Sequence, residues 1–296
     1  MFPIIPANSV TAPSGNDEGI FGFGETATNV GMTNLVSNAG VVATDVSAVG
    51  TARRGVAACE YGGDKGIFGF GKTTGYVGMT NLVSNAGVVA TDVTAVGTVR
   101  GYLAACEYGE DKGIFGFGAG SILSMTNLVS NAGVVASDVT GVGTAREGLG
   151  GCEYGTDTAI FGFGNDGSNV SMTNLVSNAG VVATDVTGVG TARVYLAACS
   201  YGVDKGIFGF GYTDSNTAVT NLVSNAGVVA TDVTGVGTAR NNLAACEYGG
   251  DKGIFGYGIT GSVCDITNLV SNAGVVATDV TGVGTARGYV AACSFN

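Results

Sequence analysis

The sequence predicts an all-β protein that folds as a six-bladed β-propeller of four-stranded blades. One unit of 46 or 47 residues recurs six times, each copy marked by an I-F-G-[FY]-G motif that begins at Ile20, Ile67, Ile114, Ile160, Ile207 and Ile254. Periods of about 40–50 residues with four strands each are typical of propeller blades. Short runs of β-branched and aromatic residues alternate with Gly, Asn and Asp turns, and no helical periodicity interrupts them.

The four predicted strands follow one another in the same order in every unit. In the second unit the first strand is GVAACEY (55–61), and a turn at 61–65 leads into the second strand, GIFGFG (66–71). The third strand contains MTNLVSN, and a tight Asn-Ala-Gly turn connects it to the fourth strand, VVATDV. We expect Phe21 and Phe23 to point to one face of a blade and to pack on the glycine backbone of a neighbouring blade.

The two ends of the chain each supply part of a blade. Residues 14–18 correspond to the turn between strands one and two, and residues 292–296 supply a first strand alone. The C-terminal first strand is therefore expected to join the N-terminal strands two to four, which closes the ring and removes open sheet edges. An open β-solenoid is the alternative, but it needs no such complement. The propeller then spans 15–296, and an arm at 1–14 contains all three prolines.

The composition argues against several classes of function. A formal net charge of −11 disfavours binding to nucleic acid. The apolar stretches are too short for membrane insertion, and the start, MFPIIPANSV, lacks the basic region of a secretion signal. The sequence contains no histidine, which is the commonest general base and metal ligand. We therefore expect a protein that is not an enzyme and that holds no cofactor or metal.

Cysteine occupies one position in each unit. Equivalent cysteines on neighbouring first strands should lie beyond the ~7 Å Cα separation of a disulfide, so the sequence predicts small buried thiols. A metal-binding ring of thiols is the alternative. Seven thiols without a pairing pattern indicate folding in a reducing compartment. The recurring residues are Cys59, Cys106, Cys152, Cys199, Cys246 and Cys293, and Cys264 stands apart in a loop.

Each unit also carries an Asp in its fourth strand and an Arg in the T-[AV]-R segment that follows. The simplest interpretation is an Asp–Arg hydrogen-bonded pair at each connection between blades, since the two types are equal in number. A carboxylate ring that holds a cation such as Ca²⁺ is the alternative. The residues are Asp45, Asp92, Asp138, Asp185, Asp232 and Asp279, with Arg53, Arg100, Arg146, Arg193, Arg240 and Arg287.

Two sets of positions differ between the copies, whereas the hairpin hardly changes. They are the segment after I-F-G-[FY]-G and the two residues after T-x-R, and strand direction places both at the same end of the ring. Free drift of loops would affect both ends, so this variable face is expected to bind a ligand through rigid tyrosines and adaptable polar groups. The candidate residues are Tyr76, Tyr102, Asn169, Tyr195, Tyr212, Asn216, Asn241 and Tyr289.

The order of features resembles the kelch repeat. An Arg (Arg100) precedes a small-residue strand (102–106), which a turn connects to an apolar strand ending in glycines (112–118) and then a hairpin. The paired glycines of the family are G-F-G here, and the usual Tyr and Trp of its outer strands are missing. The resemblance covers 15–296 and implies a propeller fold. The near-identical copies and the proline-containing start also resemble phage structural or tail proteins.

Together these features predict a binding or adhesion propeller in a phage tail or fibre that recognises a glycan or protein on the host surface. Such a protein would assemble in a reducing cytoplasm and act in the virion or outside the cell. Phe2, Ile4 and Ile5 of the arm are expected to dock it to another virion protein. The alternatives are a structural decoration or assembly protein that binds no receptor, and a multivalent lectin.

Overall fold

The computed structural model describes residues 17–47, 49–94 and 96–295, and the described chain is all-β. It forms six antiparallel sheets of three strands, which we number 1–6. Sheet 1 is β18(Ala291–Phe295), β1(Glu18–Gly22), β2(Thr33–Val36); sheet 2 is β3(Ala57–Tyr61), β4(Lys65–Gly69), β5(Thr80–Val83); sheet 3 is β6(Ala104–Tyr108), β7(Lys112–Gly118), β8(Leu123–Val129). Sheet 4 is β9(Gly150–Tyr154), β10(Thr158–Asn165), β11(Asn169–Val176); sheet 5 is β12(Ala197–Tyr201), β13(Lys205–Gly209), β14(Thr220–Val223); sheet 6 is β15(Ala244–Tyr248), β16(Lys252–Ile259), β17(Val263–Val270).

The first strands of the six sheets contact one another in a closed cycle. β3, β6, β9, β12, β15 and β18 each touch the next, and β18 touches β3. β18, from the end of the chain, pairs with β1, from its start, with Cys293 opposite Ile20. This confirms the predicted repeat of six sheets and the pairing of the two ends, and the arrangement is propeller-like. The first strands line a central channel.

The fourth predicted strand is not a regular strand, so the sheets are three-stranded rather than four-stranded. In sheet 1 the outer run touches β2 through two isolated bridges, Thr33 with Val46 and Val36 with Val42. Between these two bridges β2 advances by three residues and the outer run by four. The extra residue interrupts the ladder as a β-bulge does. The Asn34 amide fills the gap, because its Nδ2 donates to the carbonyl of Ala43 at 2.9 Å.

The two phenylalanines of the motif point to opposite sides of a sheet, which corrects the expectation that they share one. Phe21 packs edge-to-face on Tyr257 of sheet 6 with ring centres 5.2 Å apart, whereas Phe23 packs on Phe68 of sheet 2 at 5.1 Å. The cause is the backbone of Phe23, whose φ of 61° breaks the alternation of a strand. The expected contact with glycine is present: the Phe68 ring packs so closely on Gly22 that a Cβ at this glycine would lie only 2.7 Å from Cζ of Phe68.

Candidate functional site

The structure brings the two variable sets of residues together at one end of the channel, and we call this end the variable face. The first residue after T-x-R bridges to the start of the loop that follows the second strand, as Arg54 does with Lys72 and Val194 with Tyr212. The same bridge occurs in all six sheets. The Asn-Ala-Gly turns lie at the other end, beside the turns that follow the first strands. Gly40, for example, packs on the ring of Tyr248, the last residue of β15, so closely that a Cβ at this glycine would lie 2.9 Å from the ring.

The second residue after T-x-R forms the centre of the variable face. These six residues join in a closed ring of backbone hydrogen bonds, in which each N–H donates to the carbonyl of the preceding sheet's residue over 2.7–3.3 Å. All six have a φ between 52° and 62°, a conformation that costs energy for residues other than glycine. The ring consists of Gly55, Tyr102, Gly148, Tyr195, Asn242 and Tyr289.

Three of these residues form what we call the tyrosine cluster: Tyr102, Tyr195 and Tyr289. The Tyr102 ring packs edge-to-face on Tyr195 at 6.1 Å and on Tyr289 at 5.9 Å. The tyrosines come from alternate sheets, and smaller residues between them leave room for the rings. A Cβ on Gly148, for example, would lie 2.8 Å from Cδ1 of Tyr195. The cluster contributes to the lining of a small cavity of about 70 Å³ at this end of the channel.

Charged groups border the tyrosine cluster on one side. The Arg54 guanidinium is ion-paired with Glu25 and lies 5.5 Å from the centre of the Tyr289 ring, and its buried Nε–H has no partner among the described residues. Lys72 lies 5.3 Å from the centre of the Tyr76 ring. Burial raises the pKa of Glu147, and Lys72 partly offsets this effect. Opposite charges are therefore interspersed among the aromatic rings.

The phenol groups of Tyr102 and Tyr195 stay protonated at neutral pH. Burial, followed by the charge of Glu147 and the neighbouring tyrosines, raises the pKa of Tyr195 to about 12. Burial also raises the pKa of Tyr102, against the opposing effect of Arg54. Both hydroxyls can therefore donate as well as accept a hydrogen bond.

The predicted asparagines connect neighbouring sheets. Asn169 donates from Nδ2 to the carbonyls of Tyr212 and Thr213 at 3.3 and 3.2 Å. Asn216 donates in the same way to Ile259 and Thr260 at 3.1 and 3.0 Å. The Asn241 amide donates to Oδ1 of Asn216 at 2.6 Å. These amides hold each loop against the next one, so their hydrogen-bonding capacity is largely used inside the protein.

Tyr76 and Tyr212 lie further from the axis than the tyrosine cluster. Tyr76 packs beside the start of the next first strand, since a Cβ on Gly101 would lie 3.2 Å from its Cδ1. Tyr212 is one of the more exposed aromatic side chains, at 38%. The arm residues Phe2, Ile4 and Ile5 lie outside the described residues.

The predicted arginine ring is buried and lies away from the variable surface. Arg53 is fully buried, and its Nη1 lies 3.7 Å from Oδ1 of Asp92. Its hydrogen bonds go elsewhere: Nε donates to the carbonyl of Phe70 at 2.8 Å, and Nη2 donates to Oδ1 of Asn81 at 2.6 Å. Asp92 instead accepts from the hydroxyl of Thr51 at 2.7 Å. The Nε hydrogen bond repeats at all six arginines, whereas the Nη2 hydrogen bond to asparagine and the ion pair of 3.7–3.9 Å are present at four of them and, among the described residues, absent at Arg193 and Arg240.

A second ring of side chains, which the sequence did not predict, lies in the channel away from the variable face. The residue before the last of each first strand is Glu60, Glu107, Glu153, Ser200, Glu247 or Ser294, and all six line one cavity. Because Cys59 points between sheets 2 and 3, the alternation of a strand turns Ala58 and Glu60 toward the channel. The alternation in the A-C-E segment therefore indicates which side chains face the channel, but only once the direction of the cysteine is known.

The cysteines are all free, and the six recurrent ones are buried. Cys59 faces Gly113 of the next sheet, where a Cβ would lie 2.6 Å from its Sγ. Burial is the main cause that raises the pKa of the Cys59 thiol well above its ordinary value. Cys264 is partly exposed.

No family model matches this chain, and a search of curated proteins finds no match to it either. The resemblances to kelch repeats and to phage proteins therefore stay predictions. Within the part of the chain that the structure describes, no helix has the length and apolar character that a membrane crossing requires.

Proposed function

We propose that this protein is a non-enzymatic binding protein, a six-bladed propeller that recognises a glycan or protein on a host cell surface through its variable face. The observation that carries the proposal is the convergence of the variable positions on the tyrosine cluster. The constant Asn-Ala-Gly turns lie at the opposite end. A surface that differs from copy to copy mainly at one end is typical of recognition rather than of free drift.

The chemistry of the variable face supports this role. Tyrosine offers a large contact area with few rotatable bonds, and Asn, Ser and Gly offer adaptable hydrogen bonds. Tyr102, Tyr195 and Tyr289 adopt a left-handed backbone conformation at the centre of the face. Backbone strain of this kind is found preferentially at functional sites.

The pre-organised loops of the variable face also support a binding role. The closed ring of backbone hydrogen bonds fixes the centre, and Asn169 and Asn216 connect the surrounding loops to their neighbours. Loops that are already ordered lose less conformational entropy when a ligand binds. The site is therefore suited to a rigid surface such as a glycan or a folded protein.

The setting that we propose is a virus particle, such as a phage tail or fibre. The near-identical repeats and the proline-containing arm support this setting. Phe2, Ile4 and Ile5 would then attach the ring to another structural protein of the particle.

The test is binding of the labelled protein to a panel of bacterial cells and to a glycan array. In one variant, a common Gly-Ser loop replaces all six variable loops. In a matched control, serine replaces the exposed valine after each Asn-Ala-Gly turn at the other end of the ring. Binding that disappears in the loop variant and persists in the control supports the proposal. Equal binding by all three proteins, or by none of them, contradicts it.

One observation favours a second candidate, a structural component of a particle that binds no receptor. The valine after each Asn-Ala-Gly turn is 63–65% exposed, and it is identical in all six sheets. These are Val41, Val88, Val134, Val181, Val228 and Val275. A uniform apolar rim suits packing against neighbouring molecules. Loss of particle assembly in the valine control, together with no cell binding by any of the three proteins, would favour this role.

A further inference from the structure

The ring of glutamates in the channel carries an inference that does not depend on the variable face. The channel-facing position holds a glutamate in four sheets and a serine in the other two. Glu107 belongs to sheet 3 and Glu247 to sheet 6, so these two lie on opposite sides of a six-sheet ring. Glu60 and Glu153 flank Glu107, and serines flank Glu247.

Glu107 and Glu247 are nearly inaccessible and incompletely bonded. Their side chains are only 9% and 8% exposed. The Oε1 atom of each has no hydrogen-bond partner among the described residues. A buried carboxylate oxygen without a partner is costly, and proteins ordinarily compensate it with a proton, a cation or ordered water.

The electrostatic surroundings are uniformly acidic. Burial and then the charge of Glu60 raise the pKa of Glu153 to about 8. The same two causes raise the pKa of Glu107 and of Glu247, and at Glu107 a side-chain hydrogen bond with Glu60 raises it further. Asp17 and Asp251 add to the negative potential at Glu247, and Asp157 and Glu110 add to it at Glu153. A cation bound in the channel would relieve this repulsion, because an opposite charge nearby favours the ionised form of a carboxyl group.

The size of the cavity and the donor set restrict the occupant. The cavity measures about 50 Å³. Such a volume accommodates a cluster of about three to five water-sized particles. Among the described residues, no three acidic or thiol side chains form a ready-made set of metal ligands. A cation here would therefore keep part of its water shell, as Mg²⁺ commonly does beside one or two carboxylates.

We propose that the channel binds one partly hydrated divalent cation of the Mg²⁺ or Ca²⁺ class between Glu107 and Glu247. The unpartnered Oε1 atoms accept the cation or its water ligands from opposite sides. The side chains of Glu60 and Glu153 line the same cavity, and a bound cation would favour the ionised form of Glu153. Carboxylate oxygens are the donors that these cations prefer, and the sequence has no histidine that would favour a softer metal.

Titration calorimetry of the full chain, first stripped with chelator, tests the proposal with CaCl₂ and MgCl₂ as probes. We expect saturable binding of one cation per chain and a higher Tm in its presence. The double variant Glu107→Gln, Glu247→Gln should weaken binding at least tenfold. The matched control removes the same number of carboxyl groups from exposed loops, through Asp166→Asn and Asp214→Asn, and should bind as the unchanged protein does.

A second readout keeps the test decisive if the double variant alters stability. In chelator at alkaline pH, the double variant should have the higher Tm, because two carboxyl groups whose pKa is raised in the folded state no longer have to ionise in the channel. At a concentration ten times its measured Kd, CaCl₂ should raise the Tm of the unchanged protein. The Tm of the double variant should not change. Absence of saturable binding to the unchanged protein would overturn the proposal, since the carboxyl groups would then be compensated by protons. Equal affinity in the double variant would overturn it as well.

Discussion

The guanidinium carbon of Arg53 lies 4.2 Å from the centre of the Phe23 ring, and the two residues belong to neighbouring sheets. The same stacking occurs at all six junctions, with Tyr257 in place of phenylalanine at one of them. Phe23 can present its face to Arg53 because its positive φ turns the ring out of the strand alternation. One unusual backbone conformation thus places an aromatic face where a buried cation needs a partner.

Replacing a stacked arginine should therefore destabilise the ring. Arg100→Ala removes stacking on Phe70 and leaves Oδ1 of Asn127 without the hydrogen bond that Nη2 donates at 2.6 Å. We expect a loss of roughly 3 kcal/mol in the free energy of unfolding, measured by urea denaturation with circular dichroism. Arg100→Lys should recover only part of it, because an ammonium group cannot reproduce the planar fork. Lys65→Ala, at the start of β4 where the side chain is 39% exposed, is the control, and an equal loss there would contradict the prediction.

The alternation of large and small residues at the centre of the variable face gives a second prediction. Gly148 has a φ of +62°, and a Cβ there would lie 2.5 Å from Cγ2 of Val194 as well as close to Tyr195. Gly148→Ala should lower the free energy of unfolding by more than about 1 kcal/mol and displace the Tyr195 ring. Urea denaturation and the tyrosine near-ultraviolet circular dichroism measure the two effects.

Gly75→Ala is the matched control for this substitution. Gly75 is also in a variable loop, but a Cβ there would meet nothing within 4 Å. The stability of this variant should change by less than about 0.5 kcal/mol. If both alanine variants unfold at the same urea concentration, the tight packing between Gly148 and Tyr195 is not needed for folding.

The sequence allowed the repeat, the six sheets and the joined ends to be predicted, because each unit carries its own turn signals. The irregular outer run could not be predicted in this way. Its bulge depends on Asn34 reaching across to Ala43, and this contact has no periodic signature. The opposite directions of Phe21 and Phe23 depend on a left-handed backbone at a residue other than glycine, which local preference disfavours.

The candidate site was predictable to a different degree. Residue variation identified the variable face, but only the closed ring brings Tyr102 beside both Tyr195 and Tyr289, which are far away in the sequence. The glutamates in the channel could not be predicted, because one side of each first strand packs against a neighbouring sheet and the other side lines the narrow channel. The simple alternation of apolar and polar residues therefore does not distinguish the channel side of Glu107 from the packed side of Cys106.

The cysteines provide a third prediction. Burial raises the pKa of the six recurrent thiols, so that they stay neutral as well as inaccessible. Under native conditions, a thiol reagent should label one cysteine, the partly exposed Cys264, and label all seven after denaturation. Mass spectrometry of the labelled protein gives the count. Cys264→Ser should abolish the native labelling, and rapid native labelling of all seven would contradict the buried ring.

The aspartates of the fourth predicted strand give the pH dependence of stability. Partial burial acts to raise the pKa of Asp92, but hydrogen bonds from Thr51 and Asn81 and the charge of Arg53 outweigh it, so the pKa lies below its ordinary value of 3.8. A carboxyl group whose pKa is lower in the folded state contributes stability above the unfolded pKa. This contribution is lost as the pH falls through the folded pKa. The same direction applies to Asp45, Asp138, Asp185, Asp232 and Asp279.

The protein should therefore lose stability steeply below about pH 4, since six carboxylates must be protonated in the same range. Asp92→Asn removes one of them and should make the decline between pH 5 and pH 2.5 shallower, while lowering the free energy of unfolding at pH 7. Urea denaturation at a series of pH values measures both effects. Ser215→Ala, a neutral substitution in an exposed loop, should leave the decline unchanged. A decline that is equally steep in Asp92→Asn would mean that Asp92 does not contribute through its ionised form.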